Sequence, residues 1–206
     1  MISQKLQLFP STIWKYKIPA DKLDEVNTKL LTSIAALKTH PKAKFSKNKW
    51  YTPNNLQELP EFAEICEYIL DASHAVLKDI SVKNYKSAII TGCWGNISSP
   101  GATHHKHSHP NNYLSGVYYL KSEKGSDSIT FHDPRPQTGL IRPEVTVSNH
   151  ETSETARLLV ETGDIVLFPH WLNHSVVANT SNEDRISIAF NIMFKDYVET
   201  MTRPMW

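Results

Sequence analysis

Arg185-Ile-Ser-Ile-Ala-Phe-Asn-Ile-Met-Phe194 alternates without a break. Successive side chains of a strand point to opposite faces. Arg185, Ser187, Ala189 and Asn191 therefore share one face, and Ile186, Ile188, Phe190 and Ile192 the other. The apolar face calls for a core. The polar face then looks into a cavity, where a buried arginine needs an anionic partner. Its planar fork matches a carboxylate through two parallel hydrogen bonds. An arginine that opens a strand is equally at home on a surface, so the stretch decides the strand before it decides the pocket.

Upstream of it, similar runs rich in Val, Ile, Phe and Tyr read as short strands: Ser87–Trp94, Leu114–Lys121, Asp127–His132, Ala156–Glu161, Asp164–Phe168 and His174–Asn179. Gly163-Asp164 marks a tight turn. Many short strands separated by turns point to a sandwich, jelly roll or barrel. The first third has a different period. Leu23, Val26, Leu30, Ile34 and Leu37 recur at steps of three and four over Ala20 to Thr39, and Phe62, Ile65, Ile69, Ala72 and Val76 do so over Pro60 to Asp79. These are two amphipathic helices whose apolar faces need a sheet to cover. Pro41 to Gln57, with Lys42, Lys44, Lys47 and Lys49, reads as a solvated loop. Asp133 to His150, with three prolines and Gly139, reads as a long loop of the kind that forms lids.

The chain has 206 residues, 40% hydrophobic and 21% charged, with a net charge of +1. That suits one ordered domain over 1–206, with helical support at 20–79 and a β core at about 85–196. The charge gives no indication of nucleic acid as a partner. Two cysteines, Cys66 and Cys93, lie in different kinds of segment, which fits a reducing compartment better than a disulfide scaffold. The opening residues lack the apolar core of a signal peptide, and no run approaches a membrane span. A cytoplasmic location is the expectation.

Of ten histidines, four fall in His104-His-Lys-His-Ser-His109. Imidazole suits Fe, Zn, Cu and Ni. On a strand, His105, His107 and His109 would share a face, with His104 and Lys106 on the other. A third ligand must come from elsewhere, and His174 opens a later strand. His170 reads as a neighbour of that site, since Pro169 argues against a helix. His40, His74, His132 and His150 read as ordinary surface or core residues.

In order, the chain carries His107-Ser-His-Pro110, Ser115-Gly-Val-Tyr-Tyr-Leu120, Phe131-His-Asp-Pro-Arg135, Gly163-Asp164, Phe168-Pro-His-Trp-Leu-Asn-His174 and Arg185-Ile-Ser-Ile-Ala-Phe-Asn191. These motifs span about Trp94 to Phe194 and resemble the Fe(II)/2-oxoglutarate-dependent oxygenases, specifically a 2OG-Fe(II) oxygenase family. The resemblance implies a mainly β fold with flanking helices: a double-stranded β-helix (jelly roll, cupin-like) with the N-terminal helices packed on its sheet. It implies Fe(II) on His107 and His174, and the far carboxylate of 2-oxoglutarate on Arg185, with Ser187 and Tyr119 beside it. The implied reaction uses O₂ and 2-oxoglutarate to hydroxylate a C–H bond, releasing succinate and CO₂.

One position departs from the superfamily's two histidines and a carboxylate. The acidic position is His109, taken as the third ligand, with His105 in reserve and Asp133 unassigned. Three imidazoles keep two rivals open. One is a three-histidine cupin-type dioxygenase that never uses 2-oxoglutarate. The other is a non-catalytic metal-binding jelly-roll module.

Overall fold

A computed structural model describes residues 3–83, 85–141, 143–149 and 151–201; His150 lies outside them. The chain is mainly antiparallel β with few helices. In order it forms β1 (Trp14–Lys17), α1 (Ala20–Ala36), β2 (Lys44–Ser46), β3 (Lys49–Tyr51), α2 (Ala63–Asp79), β4 (Ala88–Ser98) and β5 (His104–His107). There follow β6 (Leu114–Lys121), β7 (Ser128–His132), β8 (Thr155–Leu159), β9 (Asp164–Pro169), β10 (His174–Val176), β11 (Arg185–Phe194) and α3 (Lys195–Met201). Seven strands form one sheet in the order β1-β9-β6-β11-β4-β3-β2, and four form a second in the order β5-β10-β7-β8.

Strand alternation sorts the residues of the larger sheet between two clusters. Tyr118, Ile165, Leu167, Ile188, Phe190 and Ile192 share one core with Val26, Leu30 and Ile34 of α1 and Ile65, Ile69 and Val76 of α2. Their neighbours one position along, Tyr119, Val166 and Phe168, instead pack with Ile129 and Phe131 of the smaller sheet. The Tyr118 hydroxyl donates to Asn27 Oδ1, which satisfies a buried phenol at the helix–sheet contact. Gly116 is required between these layers. A Cβ there would collide with the Phe190 ring and sit 2.7 Å from the Val166 carbonyl oxygen.

The lysine-rich stretch is not a plain loop. Lys44–Ser46 and Lys49–Tyr51 form a hairpin that extends the sheet from β4, turning at Lys47 with φ +52°. Three-residue strands carry too little pattern to be read from sequence. The lysines suit the place: β2 is an edge strand, and charged edges resist pairing with other chains. β1 and α3 add to the elements expected from the sequence, and β4 runs four residues beyond Trp94. The stretch from Asp133 contains only a 3-10 turn at Pro136–Gly139 among the described residues. No described helix is long and apolar enough to cross a membrane.

Candidate metal centre

Antiparallel pairing of β10 with β5 sets His174 opposite His107, with ring centroids 4.3 Å apart. His109 lies past the end of β5. Its backbone N–H donates to the His170 carbonyl at 3.0 Å. Its ring stacks on that of His174, 8° from parallel, with the two Nε2 atoms 3.3 Å apart. Ligand atoms of His107, His109 and His174 all lie within 4.8 Å of one another.

Two carbonyls settle which nitrogens are free. His107 Nδ1–H donates to the His105 carbonyl at 2.7 Å, and His174 Nδ1–H to the Leu172 carbonyl at 3.0 Å. A carbonyl only accepts, so each Nδ1 carries a hydrogen, and in the neutral ring it is Nε2 that keeps the lone pair for a metal. Nitrogens about 2.1 Å from one ion stand ~3.0–3.4 Å apart at octahedral to tetrahedral angles. The 3.3 Å between His109 and His174 falls in that range. The residues fit a metal ion.

Burial favours the neutral form of His109 and His174, while His107 stands exposed at the cavity. Desolvation, reinforced by the neighbouring histidines, lowers the pKa of His109 to about 4. Desolvation likewise lowers that of His174 to about 4, against the opposing pull of its bond to Leu172. His104 is pushed down to about 3, by burial first and then by Arg185. In the unfolded chain these rings titrate near ~6.5. Between that value and about 4 the unfolded state holds more protons, so the metal-free protein loses stability as pH falls through this window and keeps it above. Urea midpoints at pH 7.5 and 4.5 are expected to differ markedly. The difference should shrink in His104→Gln, and an unchanged difference in that variant would contradict the assignment.

One cavity is lined by the three imidazoles together with Arg185, Ser187 and Tyr119. Arg185 is 4% exposed, and its Nε has no hydrogen-bond partner. Burial lowers its pKa, which marks a guanidinium that wants an anion. Ser187 faces Tyr119 across β11 and β6. Burial raises the Tyr119 phenol, so it stays protonated and able to donate.

Other histidines fall differently from the simple alternation. Between His107 and His104 the ladder shifts register, three steps on β5 against two on β10. That bulge turns His104 into the cavity beside His107, where its Nε2 meets Ser98 Oγ at 3.2 Å. His105 is exposed and is not in the cluster; it contributes its carbonyl to His107 instead. Asp133 is engaged by Arg135 in two hydrogen bonds of 3.0 and 2.8 Å. Asn191 accepts from Ser115 Oγ at 2.8 Å and does not line the cavity. Trp94 and Asn96 do line it, Trp94 with its ring 6.0 Å from His109. Their i, i+2 spacing continues to Ser98, a signal hidden by ending the strand at Trp94. Tyr51, from the lysine-rich hairpin, stands edge-on to His104 at 6.2 Å.

Residues 92–191 match a family model described as "Putative 2OG-Fe(II) oxygenase". Over these residues the chain is a 2OG-Fe(II) oxygenase. Three solved structures are similar to this oxygenase in fold. HygX from Streptomyces hygroscopicus, with nickel and 2-oxoglutarate bound, is 13% identical over 90% of this chain and 84% of its own, with a TM-score of 0.62. The α-ketoglutarate-dependent carbocyclase SnoK of nogalamycin biosynthesis is 12% identical over 94% and 87%, with a TM-score of 0.65. A Pseudomonas putida prolyl-4-hydroxylase is 10% identical over 90% and 94%, with a TM-score of 0.59. No curated protein sequence matches the oxygenase.

Proposed function

We propose that this oxygenase holds Fe(II) on His107, His109 and His174 and grips the far carboxylate of 2-oxoglutarate with Arg185, Ser187 and Tyr119. The reading that goes with it is a single domain, a double-stranded β-helix over about 85–196 supported by helices from 20–79. The carrying observation is the unpartnered Arg185 Nε in the same cavity as three converging imidazoles. A keto diacid suits that cavity because it offers a chelating end to a metal and a carboxylate to the guanidinium. When bound, Fe(II) with 2-oxoglutarate supplies O₂ activation, with decarboxylation to succinate and CO₂ and hydroxylation of a substrate C–H bond.

The chain's own residues do the rest. Leu172 and His105 carbonyls hold two imidazoles in the tautomer that presents Nε2. Arg185 and protonated Tyr119 orient the diacid, and the apolar packing of Ile129 and Phe168 excludes water behind it. Among the described residues three ligands converge, not four, which leaves coordination positions for substrates; a structural site would be closed. Three neutral imidazoles leave the ion with its full charge, which strengthens its hold on an anionic chelator relative to a site containing a carboxylate.

The test is slow release of succinate from 2-oxoglutarate in the absence of any other substrate. It is expected to require both Fe(II) and O₂. An anaerobic visible charge-transfer band on adding 2-oxoglutarate to the Fe(II) protein should accompany it. Metal binding with neither signal would favour the three-histidine dioxygenase that takes a different acid on Arg185.

A further inference from the structure

We infer that His170 is a positioning residue that locks the third ligand, His109, to the turn carrying His174. The inference rests on His109 being a ligand, as proposed above. His107 and His174 sit on paired strands, so the ladder itself holds them. His109 has no such support. It follows the end of β5 and precedes Pro110 and Asn111, the latter at φ +65°.

Its anchorage comes from one residue across the cleft. Opposed residues of a narrow antiparallel pair exchange two N–H···O bonds. Here His109 N–H donates to the His170 carbonyl at 3.0 Å, but His170 N–H points to the Tyr113 carbonyl at 3.3 Å. The return bond is made by the ring: His170 Nδ1–H donates to the His109 carbonyl at 3.2 Å. A side chain thus replaces the missing backbone donor. Asn112 Nδ2 reaches the same carbonyl only at 3.5 Å.

The turn from Pro169 to Asn173 therefore orients two ligands at once. Leu172 N–H bonds the Pro169 carbonyl, and the Leu172 carbonyl in turn holds His174 Nδ1. His170 holds His109 from the same turn, which keeps the two Nε2 atoms at 3.3 Å. His170 does not itself line the cavity and is outside the converging triad, so it acts on the site only through His109.

Anaerobic Co(II) titration of the full chain, followed by the visible spectrum of the bound ion, tests this. His170→Ala is expected to weaken Co(II) binding about 10–100-fold, the usual effect of losing an outer partner of a ligand. His170→Asn, whose amide N–H can take the place of Nδ1–H, is expected to stay within about threefold of wild type. In a His109→Ala background, His170→Ala should add nothing, because what it holds is gone. Wild-type affinity in His170→Ala, an equal loss in His170→Asn, or a full additional loss on top of His109→Ala would each overturn the inference. Wild-type affinity in His109→Ala would instead remove the ligand and sink the parent reading. Metal-free melting curves identify a folding defect. Should His170→Ala fail to fold, His170→Leu replaces it, and failure of both shows a role in the fold rather than in positioning.

Discussion

His174→Ala is expected to lose metal binding by three orders of magnitude or more, well beyond the roughly 10–100-fold typical of outer partners. His174 is the hub of the cluster. It faces His107 across the ladder, stacks on His109, and is clamped by Leu172. The fold should survive. The ring lies against Phe168 at 4.6 Å, and removing it leaves a cavity costing about 2–3 kcal/mol. Linkage separates the two effects. At about 100 times its Kd, a metal adds about 2.7 kcal/mol to the wild type and should add none to the variant. Unchanged metal stoichiometry in His174→Ala would remove the centre from these residues.

Arg185 offers a prediction of opposite sign in two assays. Its charge is 4% exposed and its Nε is unpartnered, so the metal-free protein bears an uncompensated desolvation cost. Replacing even paired buried charges with apolar side chains of similar volume is often neutral or stabilising, by up to about 4 kcal/mol, and an unpartnered donor has less to lose. Arg185→Met should therefore raise the denaturation midpoint while abolishing the stabilisation that 2-oxoglutarate gives the wild type. Arg185→Lys keeps the charge and loses the fork. Its 2-oxoglutarate affinity should fall by about 10–100-fold, the worth of a charge-assisted bond of ~1.5–3 kcal/mol. Metal affinity should hold in both. A destabilised Arg185→Met with normal 2-oxoglutarate binding would show a structural arginine.

Much of the fold could be read from period alone. The i, i+3, i+4 rows of α1 and α2 and the alternation of β6, β9 and β11 are long enough for burial to stamp a pattern on them. The hairpin β2–β3 and β1 are short edge elements, and their pairing comes from neighbouring strands rather than from composition. His104 shows a second limit. Strict alternation puts it opposite His107, but a register shift against β10 turns it into the cavity. A bulge is a property of two strands and leaves no mark on one.

The sequence by itself determined which residue types were available: histidines near 107 and at 174, an arginine on the polar side of its strand, and the motifs that identify the family. Those follow from side-chain chemistry and local period. Only the tertiary structure decided which imidazoles converge, that His105 stays outside the cluster, that His170 bonds the backbone of His109, and that Arg185 is buried with its Nε unpartnered. Each depends on strand register and on hydrogen bonds between segments some sixty residues apart, where one residue of slip would send the same side chains to the other face.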